Sequence, residues 1–213
     1  MMQLRVPFHA TIQPADDLTT IAAALRIPEK QPLAFAPWSN DPFKPDVSFS
    51  IAYNASQLFL QYAVTEAHLQ AAHGKTNEPV YQDSCVEFFI SFDEGASYYN
   101  FEFNCIGTIL AGYGPSRTER SWLPENLLQT IRCQSIIQRG DREKKVQWEL
   151  TIALPVQVFC FHSFSSLRGI NARANFYKCG DNLPVPHFLA WSNIESSKPD
   201  FHAPQFFGTL LFV

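Results

Sequence analysis

The clearest pattern in the chain is an alternation of apolar and polar residues from position 98 to position 105. One parity carries Tyr99, Phe101, Phe103 and Cys105. The other carries Tyr98, Asn100, Glu102 and Asn104. A period of two predicts a β-strand that turns one face to a core and the other to water.

Similar short segments, separated by turn residues, recur from position 47 to the end of the chain. The predicted strands are residues 47–53, 58–64, 85–92, 98–106, 108–113, 130–137, 146–154, 171–177, 188–191 and 206–213. Turn residues at 54–57 and 93–96 predict two hairpins. Roughly ten short strands, without a dinucleotide or phosphate-loop motif, predict an all-β fold. We expect one domain over residues 1–213, an antiparallel two-sheet β-sandwich of jelly-roll type.

One short N-terminal helix is predicted over residues 16–26. Asp16 or Asp17 can cap its first turn, and the Ala and Leu residues that follow favour helix. Pro28 is expected to stop it, because proline lacks the N–H that a helix interior requires.

The second hairpin has a register that places two acids face to face. A four-residue loop at 93–96 sets Glu87 opposite Glu102, and the same register sets Cys85 opposite Asn104 and Phe89 opposite Asn100. Like charges at directly opposed positions repel each other, so a counter-ion is expected. The strand at 171–177 carries Arg173, Asn175 and Tyr177 on its polar parity. Arg173 is the predicted counter-ion, because its guanidinium can bind a carboxylate with two hydrogen bonds.

These strands together predict a polar sheet face suited to sugar hydroxyls, which donate and accept hydrogen bonds at once. Gln147 and Glu149 would add to this face if their strand joined the same sheet. Sugars also present C–H faces that pack on aromatic rings, and Tyr81 and Trp191 are the rings expected beside the site. The alternative interpretation is that the face is merely solvated. The other tryptophans, Trp38, Trp122 and Trp148, are expected to be core or loop anchors.

Composition narrows the range of functions. The 46% hydrophobic and 14% aromatic content supports a large core, and a net charge of -4 without a Lys/Arg-rich run argues against nucleic acid. No apolar stretch is long enough for a membrane span or a secretory signal, so a soluble, cytoplasmic protein is expected. Five cysteines without a CxxC pair, and scattered histidines, give no zinc motif and no disulfide framework.

Four segments resemble a known family of sugar-binding modules. They are YQDSCVEFFI at 81–90, YYNFEFNCIG at 98–107, NFYKCGD at 175–181 and FFGTLLF at 206–212. Together they look like carbohydrate-binding module family 9, in particular its stand-alone family 9-like branch, and the resemblance covers nearly the whole chain.

The resemblance implies a β-sandwich that binds a saccharide without cleaving it, in the context of polysaccharide catabolism. Two aromatic residues would clamp the sugar; Tyr81 stands where the family commonly has tryptophan, and Trp191 is the second candidate. Structural calcium is common in the family, with Asp83 and Asp93 as candidate ligands here. The family would also allow export from the cell. The expected ligand-binding residues are Tyr81, Glu87, Asn100, Glu102, Asn104, Arg173, Asn175 and Trp191.

Two other functions stay open. A glycoside hydrolase acting on O-glycosyl bonds could use Glu87 and Glu102, since retaining enzymes hold two carboxyls close together. An adjacent Arg173 would lower their pKa values, however, whereas a general acid needs a raised pKa. A protein-interaction sandwich without sugar binding is the other alternative. The sugar, its mode of binding and the oligomeric state do not follow from the sequence.

Overall fold

The fold is described from a computed structural model that covers residues 2–27, 29–39, 44–139 and 145–213. Its strands are β1 (Gln3–Val6), β2 (Gln31–Pro32), β3 (Asp46–Tyr53), β4 (Gln57–Glu66), β5 (Cys85–Ser91), β6 (Tyr98–Asn104), β7 (Ile109–Gly114), β8 (Ser121–Trp122), β9 (Arg132–Arg139), β10 (Val146–Pro155), β11 (Asn171–Cys179), β12 (Phe188–Ala190) and β13 (Gly208–Phe212). Its helices are α1 (Leu18–Ala24) and α2 (Glu125–Leu128), with 3-10 turns at Val80–Gln82, Val156–Val158 and Pro204–Phe206. No helix in the described ranges is long and apolar enough to cross a membrane.

The strands form two sheets, which confirms the predicted β-sandwich. One sheet has the order β1-β13-β11-β5-β6-β7-β8, with β12 also paired to β11, and the other has the order β2-β3-β4-β10-β9. Among the described strand pairs, β1 with β13 is parallel and the rest are antiparallel. The sequence did not predict β1, β2 or β8, because segments of two to four residues are too short to show a periodicity.

The predicted register of the second hairpin is confirmed pair by pair. Glu87 lies opposite Glu102, Cys85 opposite Asn104 and Phe89 opposite Asn100. The length of the hairpin loop sets this register. The buried face reinforces it, because a slip of one position would turn every core side chain outward. The predicted helix is also present in a shorter form, and the Asp17 carboxylate caps it by accepting from the Thr20 N–H at 2.7 Å. The expected stop at Pro28 lies outside the described residues.

The side chains that were predicted to face inward fill the space between the sheets. Phe49 of β3 stacks on Phe176 of β11, with ring centroids 3.7 Å apart, and Phe88 stacks on the same ring. Trp148 is 1% exposed, as expected of a core residue. The other predicted inward residues in this core are Val86, Ile90, Tyr99, Phe101, Phe103, Cys105, Leu150, Ile152, Ala172 and Ala174.

The outer face of the larger sheet is buried, contrary to the predicted solvent-facing surface. Glu87 and Glu102 are each 3% exposed and Asn100 is fully buried. The covering segment, residues 192–207, folds back over β5, β6 and β11, and its Ile194, Phe201 and Phe207 pack with apolar side chains of those strands. Such contacts bury apolar surface of both parts, so the polar residues become the floor of a pocket.

The smaller sheet carries α1 on its outer side. Ile21 and Leu25 pack against Ala52, Phe59 and Ala153, which lie on β3, β4 and β10. Gln147 and Glu149 also lie on β10, so they belong to this sheet and not to the face that carries Glu87. The condition for them to extend the polar face, a place in the same sheet, is therefore not met. The layers run from α1 through the two sheets to the covering segment.

Candidate functional site

A pocket opens where the covering segment meets the outer face of β5, β6 and β11. Its enclosed volume is about 80 Å³, and about 480 Å³ when the open space at its mouth is included. It is lined by Tyr81, Glu87, Glu102, Arg117, Arg120, Cys179, Asp181, Phe188, Pro199, Asp200, Phe201 and His202. Three of the predicted site residues, Tyr81, Glu87 and Glu102, thus meet in one pocket.

The two opposed glutamates form its polar floor. Burial raises the pKa of Glu87 well above its usual range, and the neighbouring Cys179 and Glu102 raise it further. Burial also raises the pKa of Glu102 to about 7, although Arg120 and a hydrogen bond from Asn100 pull it down. The predicted lowering of both pKa values is therefore wrong, because desolvation outweighs the nearby positive charge. Burial thus favours the protonated form of Glu87, in which the carboxyl can donate a hydrogen bond.

Arg120 is the counter-ion of this pair, and the prediction of Arg173 is wrong. Arg120 Nη1 lies 3.5 Å from Glu102 Oε1. Arg173 lies opposite Ser91, four positions along β5 from Glu87, which is about 13 Å at the rise of a strand. It pairs there with the exposed Glu94 and donates to the backbone carbonyls of Gly208 and Phe207.

Besides Glu102, two neighbours hold the Arg120 side chain. Its guanidinium lies over the Trp122 ring, 4.9 Å from the centroid, and Nη1 donates to His202 Nε2 at 3.3 Å. Since Arg120 always donates, Nε2 of His202 must accept, and its Nδ1–H is left to donate to the Tyr98 hydroxyl at 2.8 Å. Burial and the Arg120 and Arg117 charges lower the pKa of His202 to about 3, so this ring is neutral.

Aromatic rings form the apolar walls. Tyr81 lies in the turn before β5, and its backbone carbonyl accepts from the Asp181 N–H at 3.1 Å. Phe201 stacks on Tyr177 with centroids 4.1 Å apart, and Trp38 packs behind Phe188 and Phe201. Ring faces of this kind suit the C–H surfaces of a sugar.

Trp191 is not a ligand clamp. It is fully buried between the two sheets, where it makes edge contacts with Phe49 and Phe176. The sequence-based prediction placed it beside the site as an aromatic ring for a sugar face, and the family resemblance made it the second candidate clamp. The structure turns this side chain inward, so it cannot touch a ligand in the pocket.

The three predicted asparagines have structural partners. Asn100 lies two residues before Glu102 on the same face of β6, donates to Glu102 Oε1 at 3.0 Å and so holds this carboxylate in place. Asn104 donates to the His73 carbonyl and to Asp83, and its own oxygen accepts from the backbone of the β6–β7 turn. Asn175 bonds the backbone N–H and C=O of Ser192 and thereby fixes the start of the covering segment. The pocket lining contains none of the three.

The two calcium candidates differ in their surroundings. Asp83 is fully buried, and its oxygens accept from the Ala72 N–H at 2.8 Å, the His73 N–H at 3.0 Å and the Asn104 amide at 3.0 Å. Because N–H donors occupy both oxygens, Asp83 does not fit a calcium ligand. Asp93 is exposed and accepts from the Ser91 hydroxyl and the Ser97 N–H in the hairpin loop. Calcium at Asp93 stays a prediction.

Sequence reasoning missed the part of the site that loops supply. Arg117, Arg120, Phe201 and His202 lie in segments without periodicity, where only the tertiary fold decides the neighbours. One signal was present: a Cβ on Gly114 would lie 2.3 Å from the Glu119 carbonyl oxygen, so glycine is needed there. Glycine within a strand indicates a close backbone approach, here by the loop that carries Arg120.

Comparison with known proteins gives a consistent result. A family model described as carbohydrate-binding family 9 matches residues 19–212. No curated protein sequence matches the chain significantly. A solved structure from Bacteroides uniformis ATCC 8492, provisionally described as a carbohydrate-binding protein, is 38% identical over 99% of both chains, with a TM-score of 0.89.

Two structures of a family 9 carbohydrate-binding module from Caldicellulosiruptor kristjanssonii are also similar. The complex with glucose is 11% identical, with a TM-score of 0.65, and the match covers 100% of this chain and 96% of that chain. The complex with cellotriose is 13% identical, with a TM-score of 0.62 and coverage of 99% and 93%. At such low identity these matches show that the fold is shared.

Proposed function

The chain belongs to carbohydrate-binding family 9, and we propose that it binds a saccharide, without cleaving it, in the pocket floored by Glu87 and Glu102. The observation that carries this proposal is an unpaired acceptor beside a charged donor. Glu102 Oε2 is buried and has no hydrogen-bond partner among the described residues, while Arg120 lies against the other oxygen. A buried acceptor without a partner costs free energy, and a ligand hydroxyl would satisfy it.

The same floor can recognise several hydroxyls at once. Glu102 accepts and Arg120 donates, and the carboxyl of Glu87 does both in the protonated form that burial favours. This set matches hydroxyl groups, which each donate and accept. The rings of Tyr81, Phe188 and Phe201 supply apolar contact on the walls. The complexes of the Caldicellulosiruptor kristjanssonii module with glucose and cellotriose support a glucose-based saccharide as the first ligand to test.

The glutamate pair supports binding more than hydrolysis. A retaining glycosidase needs one ionised carboxylate as nucleophile and one protonated carboxyl as acid. Burial raises the pKa of both groups here, and Glu102, with a pKa of about 7, is partly protonated at neutral pH. At neutral pH Glu102 is therefore only partly available as an ionised nucleophile.

Titration calorimetry with glucose and cellotriose tests the proposal. Tyr81→Ala and Arg120→Met should each weaken binding by about tenfold or more, since each removes one wall or the charged donor. Phe161→Ala is the matched control, because Phe161 is an exposed ring, 52% accessible, that is absent from the pocket lining. The control should bind as the wild type does.

Two results would contradict the proposal. If neither these sugars nor a broad glycan array gives binding to the wild-type protein, the pocket has another ligand. If cellotriose binds equally to the wild type and to Tyr81→Ala and Arg120→Met, the site lies elsewhere. Release of reducing sugar from cello-oligosaccharides, abolished by Glu87→Gln, would instead establish the hydrolase.

A further inference from the structure

Three buried metal-ligating side chains meet at the floor of the pocket, and two of them, Glu87 and Cys179, line it. Cys85 and Cys179 lie directly opposite each other on β5 and β11, and Glu87 follows two residues after Cys85 on the same face. The Cys179 thiol donates to Glu87 Oε1 at 3.1 Å. The ligand atoms of all three lie within 4.8 Å of one another.

We propose that Cys85, Glu87 and Cys179 bind one thiophilic divalent metal ion, of which zinc is the ordinary biological example. Zinc bonds of about 2.3 Å to sulfur and 2.0–2.2 Å to oxygen place tetrahedral ligands roughly 3.5–3.8 Å apart. Cys179 Sγ lies 3.1 Å from Glu87 Oε1, and no two ligand atoms are more than 4.8 Å apart. Side-chain movements of about 1 Å would bring these atoms to the spacing that zinc needs.

The site has an entrance and an open position. Cys179 and Glu87 line the pocket, so an ion can reach them from solvent. Asp181 lines the same pocket two residues beyond Cys179, and its carboxylate can attract the ion or complete the coordination through water. Three protein ligands with one open position is a recognised arrangement for zinc.

Cys105 and Cys160 have different surroundings from the Cys85 and Cys179 pair. Cys105 donates to the backbone carbonyl of Gln70, and Cys160 is exposed. Among the described residues, the group that includes Cys85 and Cys179 is the one that could supply three ligands to an ion. The missing CxxC motif does not oppose a site of this kind, because antiparallel pairing joins residues that are distant in sequence.

Binding exchanges protons for the metal. A divalent ion takes the place of the two thiol protons, which are released to solvent together with the carboxyl proton when Glu87 is protonated. No oxidation or reduction is involved. The step needs reduced cysteines and the metal alone.

Cadmium titration of the reduced, chelator-treated protein tests the proposal. A Cys160→Ser background removes the exposed thiol. One equivalent of cadmium should produce the ultraviolet charge-transfer band of two cadmium–thiolate bonds. Cys179→Ser in this background should halve the band and weaken binding by at least about tenfold, whereas Cys105→Ser, the matched buried control, should leave both unchanged.

Three results would overturn the proposal. The first is that one equivalent of cadmium produces no charge-transfer band. The second is that the band survives Cys179→Ser. The third is that Cys85 and Cys179 form a disulfide while the reduced protein takes up no cadmium. If Cys179→Ser fails to fold, Cys85→Ser replaces it. In the Cys160→Ser protein, the band intensity per bound cadmium ion also gives the number of thiolates that coordinate the ion. None of these measurements depends on sugar binding.

Discussion

The pKa of the Glu102 side chain is set by two opposing effects. Burial disfavours its charge, whereas Arg120 and Asn100 favour it, and the balance raises its pKa to about 7. His202, beside the same arginine, has its pKa lowered to about 3 by burial and by positive neighbours. The two groups therefore change the free energy of unfolding with pH in opposite directions. A substitution of one group is needed to measure its contribution apart from that of the other.

Glu102→Gln should isolate the acid. Because the folded pKa lies above the ordinary 4.5, Glu102 contributes stability below pH 4.5 that is lost as the pH rises to about 7. The variant should equal the wild type near pH 4 and become more stable above pH 7, by on the order of 3 kcal/mol. Urea unfolding at a series of pH values measures this, with Glu149→Gln as control. A constant difference across the range would contradict the expectation.

Asp83→Asn should show the opposite dependence. Burial raises the pKa of Asp83, but hydrogen bonds from Ala72, His73 and Asn104 more than offset this and lower it below 3.8. Its contribution is thus present above pH 3.8 and lost as the pH falls through the folded pKa. We expect a loss of about 2 kcal/mol at pH 7 that shrinks below pH 4, measured by urea unfolding. Asp46→Asn, at an exposed strand end, should change little at either pH.

At the scale of elements, a buried ion pair joins the two sheets. Lys178 of β11 is fully buried, and its Nζ lies 2.9 Å from Glu66 Oε2 of β4. Trp148 of β10 donates to the other oxygen of Glu66 at 2.7 Å, and His187 lies 2.8 Å from the lysine nitrogen. Such a network fixes the position of one sheet on the other, because each charge depends on the rest for its solvation.

Lys178→Met should therefore be strongly destabilising. It leaves the Glu66 charge buried without its partner, which costs about 3–5 kcal/mol. Arg26→Met is the matched control, because the Arg26–Glu149 pair at 3.8 Å is exposed and should contribute below about 1 kcal/mol. Thermal and urea unfolding compare the two. Equal losses in the free energy of unfolding would show that the buried pair stabilises the fold no more than the exposed pair does. The double variant Glu66→Gln/Lys178→Met should recover part of the loss.

At the scale of the whole molecule, the larger sheet is covered on both sides where the pocket lies. Strands β5, β6 and β11 are central in that sheet. Both faces of β5 and β6 are buried, as is β11 from Ala174 to Cys179. By contrast, β9 is an edge strand, and its last residues, 136–139, are exposed. Burial of both faces makes the centre of the sheet the most stable part of the fold.

Hydrogen exchange should reveal this gradient. Backbone amides of β5 and β6 are expected to exchange only by global unfolding, whereas those at 136–139 exchange by local opening several orders of magnitude faster. Mass spectrometry of proteolytic peptides, measured as a function of urea, distinguishes the two routes. Comparable protection in β9 and β5 would contradict the layered description.

The sequence by itself determined the sandwich and the register that opposes Glu87 and Glu102, because strand parity and hairpin loop length are local properties. It also determined which aromatic residues of that hairpin face the core. Only the tertiary structure decided that the polar face is the floor of a pocket, that Arg120 and not Arg173 is the counter-ion, and that Trp191 points inward. These features depend on a covering segment and a loop that are distant in sequence, and alternation within one strand carries no information about what packs against it.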